Sequence, residues 1–219
     1  ASMGPEESEN EPDRSDSPKV PTDKSSPAAV ATAVASRATV AGAADGDFAN
    51  RKGQAKVEAL LRTGGDADTE SAVEAALKFL ADVQRPDGAW DPRASGAGKE
   101  LAPLGMTRGN AGSRAETALT GLALLTLMGA GQTHDQGTYA DNVYRGHAFL
   151  LQRQQPSGSL AGNASVYAAT YSHGMAALAM CEAAAITRDP SAILSARRAI
   201  AHTRRMQHPS TGGWRYTEG

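Results

Sequence analysis

Three strings constrain this chain more than anything else in it: QRPDGAW from Gln84, QQPSGSL from Gln154 and QHPSTGGW from Gln207. Each carries Gln, Pro and Gly in that order, ends on a bulky or apolar residue, and follows a stretch with helical periodicity. Proline stops a helix. Glycine permits a tight reversal. A glutamine amide can pair the backbone groups that helix ends leave open. Gln84 and Gln154 stand 70 residues apart, and Gln154 and Gln207 stand 53 apart. Pro86, Pro156 and Pro209 recur with them, as do Gly88, Gly158 and Gly213, and Trp90, Leu160 and Trp214. Such self-similarity marks a repeat architecture, in which each unit buries its apolar face on its neighbour. The turn reads as a staple between repeats.

The stretches between the turns are helical in period, and none alternates as a strand does. A first helix begins near residue 54, places Val57, Leu60 and Leu61 on one face and ends at Gly64. A second runs from Thr69 to about Gln84, with Ala72, Ala76, Phe79, Leu80 and Val83 as its apolar stripe. A third opens at Ser113, with Glu116 three residues on as a capping box, and is apolar nearly all round. A fourth, Thr138 to Gln154, is anchored by Tyr139, Val143, Phe149 and Leu150. A fifth, 166–187, is again apolar on most sides. A sixth has Asp189 as cap and Pro190 at its first position, and carries Arg197, Arg198, Arg204 and Arg205 outward. Helices apolar on every side must be buried on every side, and amphipathic ones belong at a rim. Their alternation predicts an all-α double ring of outer and inner helices.

Composition separates the amino end from this pattern. Five of the eleven prolines fall within residues 1–27, and Phe48 is the first aromatic residue. So little apolar surface cannot offset the entropy of ordering, so residues 1–50 are expected to be a disordered tail or linker and 51–219 the folded part. Residues 28–44 read as a weak helix or as the remnant of a signal sequence. The net charge is −2, with no basic excess to suggest nucleic acid. Cys181 is the one cysteine, which excludes an intrachain disulfide. No apolar run is long enough for a transmembrane helix.

The stretches "AALKFLADVQRPDGAW", "ETALTGLALLTLMGAGQTHDQGTY", "YSHGMAALAMCEA" and "MQHPSTGGWRY" carry a resemblance. Gln, Gly and Trp at the end of an outer helix resemble the QW motif of the squalene and terpenoid cyclase superfamily, whose α/α-toroid is shared with protein prenyltransferase β subunits. Over about 54–219 the chain is similar to bacterial, planctomycete-like prenyltransferase/squalene-oxidase repeat proteins. The resemblance implies an α/α-toroid, here a partial ring of helical hairpins, and an isoprenoid or other lipid ligand in its cavity. Such a ring usually takes about six hairpins, and this chain supplies about half. A fragment is the favoured expectation. The other is a half-ring completed by a second subunit.

The chain also departs from that pattern. It has no Asp-x-Asp-Asp acid motif; Asp66-Ala67-Asp68-Thr69 lacks the last Asp and reads as a helix cap. Cys181 has no Asp-x-Cys neighbour and reads as a buried thiol rather than a zinc ligand. Leu160 in place of Trp weakens the second staple. His134, His147, His202 and His208 lack metal spacing. No metal site and no cofactor is expected. Tyr171 and His173, near the start of an inner helix, are candidates for lining a cavity, as a ligand contact or an acid–base pair; a satisfied histidine at a helix contact is the plainer reading. Glu116 is a third cavity candidate, explained more simply by capping. The arginine face reads as a solvated surface, and the glycine-rich stretch 94–113 as a mobile connection or lid. Two functions follow: a cyclase-like enzyme, or a non-catalytic toroid that binds a lipid or scaffolds proteins. The sparse aromatic content favours the second, because carbocation chemistry needs aromatic faces. The Pro/Ser/acidic linker suits an extracytoplasmic protein or one tethered to a membrane through a segment outside this sequence.

Overall fold

The computed structural model describes residues 48–97 and 111–216, which fall within one compact unit. The expected tail up to residue 47, with the 28–44 segment, and residues 98–110 of the glycine-rich connection lie outside the described residues. Among the described residues the regular structure is helical: α1 (Gly53–Arg62), α2 (Ala67–Asp82), α3 (Glu116–Gly129), α4 (Ala140–Arg153), α5 (Val166–Thr187) and α6 (Pro190–Arg205). Short 3-10 turns occupy Pro92–Ser95 and Ala111–Arg114.

Local chemistry explains two of the six helix starts. Asp66 accepts the Thr69 N–H while the Thr69 hydroxyl accepts the Asp66 N–H, a reciprocal box that opens α2 two residues earlier than expected. Asp189 accepts the N–H groups of Ser191 and Ala192, and Pro190 follows as the first residue of α6. The Ser113–Glu116 capping box does not form. The chain makes a 3-10 turn through Ser113, so Ala115 becomes the residue before α3 and Glu116 the first helical one. A carboxylate there still complements the helix dipole.

α3 and α5 pack against each other as the central pair, with α4 on α3 and α6 on α5. The core is filled by Leu124, Leu127, Met128, Leu150, Leu160 and Met180. Tyr139, Val143, Phe149 and Leu150 anchor α4 as expected, and all four are buried. The same reasoning fails for α1 and α2. α1 buries no residue, and Val57 and Leu61 are exposed. In α2 the buried residue is Leu77, while Ala72, Ala76, Phe79 and Val83 face outward. Nor are the two apolar helices buried all round, since Leu122 of α3 and Tyr167, Tyr171 and Leu178 of α5 are exposed.

The turns repeat atom by atom. The Gln84 amide donates to the Gly88 carbonyl (2.9 Å) and across to the Asn142 carbonyl of α4 (2.9 Å). The Gln154 amide donates to Gly158 (3.2 Å) and to Ser195 of α6 (3.0 Å). Gly88 and Gly158 both have φ +89°, and a Cβ on either would collide with a carbonyl, that of Arg145 or of Arg198. Residues 142 and 195, and 145 and 198, are again 53 apart. In the third turn the Gln207 amide donates to Gly212, not Gly213 (2.7 Å), and Gly212 holds the left-handed φ of +69°. The equivalent of Gly88 is therefore Gly212. One inserted residue shifts the frame, so Gly213, whose carbonyl accepts the His208 N–H, matches Ala89 and Ser159, which accept from Arg85 and Gln155.

The tryptophans bond back to the helix they follow. Trp90 Nε1 donates to the Leu80 carbonyl and Trp214 Nε1 to the Thr203 carbonyl, both at 2.8 Å and both four residues before the glutamine. Leu160 cannot make this bond, yet it is completely buried. The Trp90 ring lies against Gly146, where a Cβ would sit 3.0 Å from it, and the residue 53 beyond Gly146 is Ala199, also fully buried. The arginine face of α6 is not wholly solvated either. Arg198 Nη2 donates to the Gln155 carbonyl (2.9 Å), and Arg205 donates to Ser157.

Candidate functional site

The three cavity candidates do not converge. Tyr171 and His173 are two apart on α5, so they point to different sides of the helix. Tyr171 is 58% exposed and His173 is 2% exposed. Glu116, half-buried, begins α3. Only His173 borders a groove of about 270 Å³ between the second turn, the start of α5 and the end of α6, whose walls include Ser159, Thr170, His202, Met206 and Tyr216.

His173 is held by protein on both ring nitrogens. Nδ1 accepts the Leu160 backbone N–H (3.0 Å), which leaves Nε2 to carry the proton and donate to the Thr203 hydroxyl (2.9 Å). The Thr203 hydroxyl in turn donates to the Ala199 carbonyl (3.0 Å). Burial lowers the His173 pKa to about 4, and the His202 ring, packed edge-on at 4.7 Å, adds to the effect. At neutral pH the ring is therefore uncharged, with no open lone pair and no free proton. It cannot act as a general acid or base in this arrangement. Its role is visible one unit earlier. Residue 120 lies 53 before 173, and the Thr120 hydroxyl accepts the Trp90 N–H (3.2 Å) as His173 accepts that of Leu160. His173 is the second unit's version of a structural acceptor.

Tyr171 belongs to an aromatic group. Tyr216 lies 5.7 Å from Tyr167 and 6.0 Å from Tyr171 between ring centroids, and the Thr170 hydroxyl donates to the Arg215 carbonyl (3.0 Å). The segment after the third turn thus folds back onto the start of α5. Tyr216 escaped the sequence reading because no equivalent residue follows the other two turns.

A second cavity, of about 10 Å³, lies between α3, α4 and α5 beside His147, His134, Thr133 and Thr187. It has room for about one water. His147 Nε2 has no partner among the described residues, and burial, then His134, lowers its pKa. Cys181 is half-buried, and burial raises its pKa, which leaves the thiol protonated and unreactive. Among the described residues no group of three or more His, Cys, Asp or Glu could hold a metal ion, and no helix is long and apolar enough to cross a membrane. No family model, curated protein or solved structure matches the chain.

Proposed function

We propose that the chain is a run of repeats of the squalene/terpenoid-cyclase α/α-toroid class, with α3 and α5 as inner helices, and that it holds an apolar, isoprenoid-type chain without cyclising it. One observation carries the reading. Leu122 and Met175, and Leu125 and Leu178, are pairs 53 residues apart on α3 and α5, and all four stay exposed or half-exposed beside a filled core. An open apolar line on successive central helices is the surface a long hydrocarbon would cover. Two features favour binding over catalysis. His173, the best acid–base candidate, is saturated by Leu160 and Thr203. The sequence has no Asp-x-Asp-Asp to protonate an alkene. A protein scaffold is the second reading, favoured by Trp214, which is 51% exposed at the third turn.

The test is retention of radiolabelled squalene or farnesol by the purified chain through gel filtration, with chemical analysis of what is recovered. The expected result is retention of unchanged ligand, lost when Leu122→Asp and Leu178→Asp are combined. Cyclic products would overturn the non-catalytic reading. No retention would overturn the ligand and leave the scaffold.

A further inference from the structure

The outward face of α6 gathers charge around one small residue. Arg197 and Arg198 stand four and three residues before Ala201, and Arg204 and Arg205 three and four after it. On a helix those positions are a residue's surface neighbours, about 5–6 Å away between Cβ atoms. Ala201 is thus ringed by arginines, and all five residues are exposed. The ring lies on the side of α6 opposite the buried Ala192, Ser195, Ala196, Ala199 and His202.

The charge has no counterpart nearby. Among the described residues none of the four arginines makes an ion pair, whereas Arg51, Arg85 and Arg93 do. From Pro190 to Tyr216 the sequence holds no Asp or Glu. The second turn, which packs on α6, has Ser157 and Ala161 where the first turn has Asp87 and Asp91, the partners of Arg85 and Arg93. Nor does the repeat require the four arginines. Around Ala148, 53 residues before Ala201, α4 has Tyr144, Arg145, Leu151 and Gln152. In α2 the same register holds Lys78, flanked by Glu74 and Asp82 and paired with Asp82 at 2.6 Å.

Two of the four side chains are already held in place. Arg198 donates through Nη2 to the Gln155 carbonyl (2.9 Å) and Arg205 through Nη2 to the Ser157 carbonyl. Each bond takes one guanidinium nitrogen and leaves the others for a ligand. Side chains fixed beforehand lose less freedom on binding. A single carboxylate over Ala201 would balance one of the four charges. A phosphate monoester brings roughly two negative charges and three strong acceptor oxygens. The planar arginine fork suits such a group and pairs with it through two N–H bonds at once.

We propose that Arg197, Arg198, Arg204 and Arg205 bind a doubly charged phosphate group seated over Ala201, carried by a soluble phosphate ester or by a phospholipid headgroup. The site lies on the outer face of α6, apart from the apolar line of α3 and α5, and does not rest on the ligand proposed there.

The experiment is calorimetric titration of the full 219-residue chain with phenyl phosphate, beside co-sedimentation with phosphatidylcholine vesicles that carry phosphatidic acid. Ala201→Glu plants a carboxylate inside the ring at an exposed helical position, where it pairs with the arginines and supports the helix. Ala201→Gln has nearly the same size without the charge. Binding is expected in at least one format. Ala201→Glu should weaken it about tenfold or more, as should Arg197→Gln combined with Arg204→Gln. Ala201→Gln should change it by no more than about twofold. Binding of phenyl phosphate shows that a soluble ester suffices; binding to the vesicles alone assigns the phosphate to a lipid surface. No binding in either format would overturn the proposal. So would Ala201→Glu binding as the parent does, or equal binding of benzoate or of singly charged phosphatidylglycerol vesicles. Circular dichroism of each variant separates a blocked site from a lost fold.

Discussion

α2 and α4 carry valine and phenylalanine in the same register, Val73 and Phe79 in one and Val143 and Phe149 in the other, and bury them to opposite extents. Helix propensity and amphipathic pattern cannot account for this, because the paired residues are identical. The difference lies in what stands alongside. α4 has the first turn and Trp90 against it, with Gln84 bonded to its Asn142 and Trp90 in contact with Gly146. α2 has no equivalent turn against it among the described residues. In a repeat protein a side chain's burial belongs to the pair of units and not to either helix.

The largest effect that would break this comparison is at Gly121 and Gly174, which stand 53 residues apart on α3 and α5. Gly121→Leu should destabilise the chain by about 3 kcal/mol, because the added side chain meets backbone of α5 that cannot move aside. A Cβ at Gly174 would meet nothing within 4 Å, so Gly174→Leu should be neutral or stabilise by up to ~1 kcal/mol through helix propensity. Urea unfolding of both variants at low concentration reads the difference directly.

Acid should separate the units next. His173 takes the place that Thr120 holds in the unit before, so only the second unit loses a bond when the ring is protonated. The folded pKa of about 4 lies below the ordinary histidine value of 6.5. The unfolded chain thus binds the proton first. The stability from this residue is complete above pH 6.5 and drains away as pH falls from 6.5 to about 4. The loss should be about 3 kcal/mol. His147, also shifted down, acts in the same direction. In His173→Thr, which copies the first unit, the part of the midpoint's pH dependence that comes from His173 should disappear.

The smallest effect sharpens the contrast between staples. Gln154→Ala removes a donor to Gly158 and Ser195 and should cost about 1 kcal/mol. Gln207→Ala, which loses one exposed bond within its own turn, should cost under about 0.5 kcal/mol.

What could be read from the sequence was what depends on neighbours in the chain. The cap residues Asp66 and Asp189, the turn positions of Gln84 and Gln154, and the buried anchors of α4 all follow from local spacing. The expected cap at Ser113 failed because a 3-10 turn satisfied that stretch another way. Gly213 was taken for Gly212 because a one-residue insertion preserves the composition of the turn while shifting its frame. The cavity role expected for His173 failed on a contact with Leu160, thirteen residues away in the chain, and on the Thr203 hydroxyl of the next helix. Phe79 is exposed because no turn packs on α2 among the described residues, and periodicity does not record that. The candidate site was the least legible part, since Tyr216 joins Tyr167 and Tyr171 only through the return of the chain after the third turn.

The central claim is that one interface is filled inside the molecule and, among the described residues, left open in the same register after α6. The two tryptophans report on it separately, since each indole N–H makes the same 2.8 Å bond back to its own helix. Hydrogen exchange of the two indole protons, followed by NMR at dilution, is the most direct measurement. Trp90 should exchange only through global unfolding and Trp214 far faster, through local opening of its turn. Equal protection of the two would contradict the account.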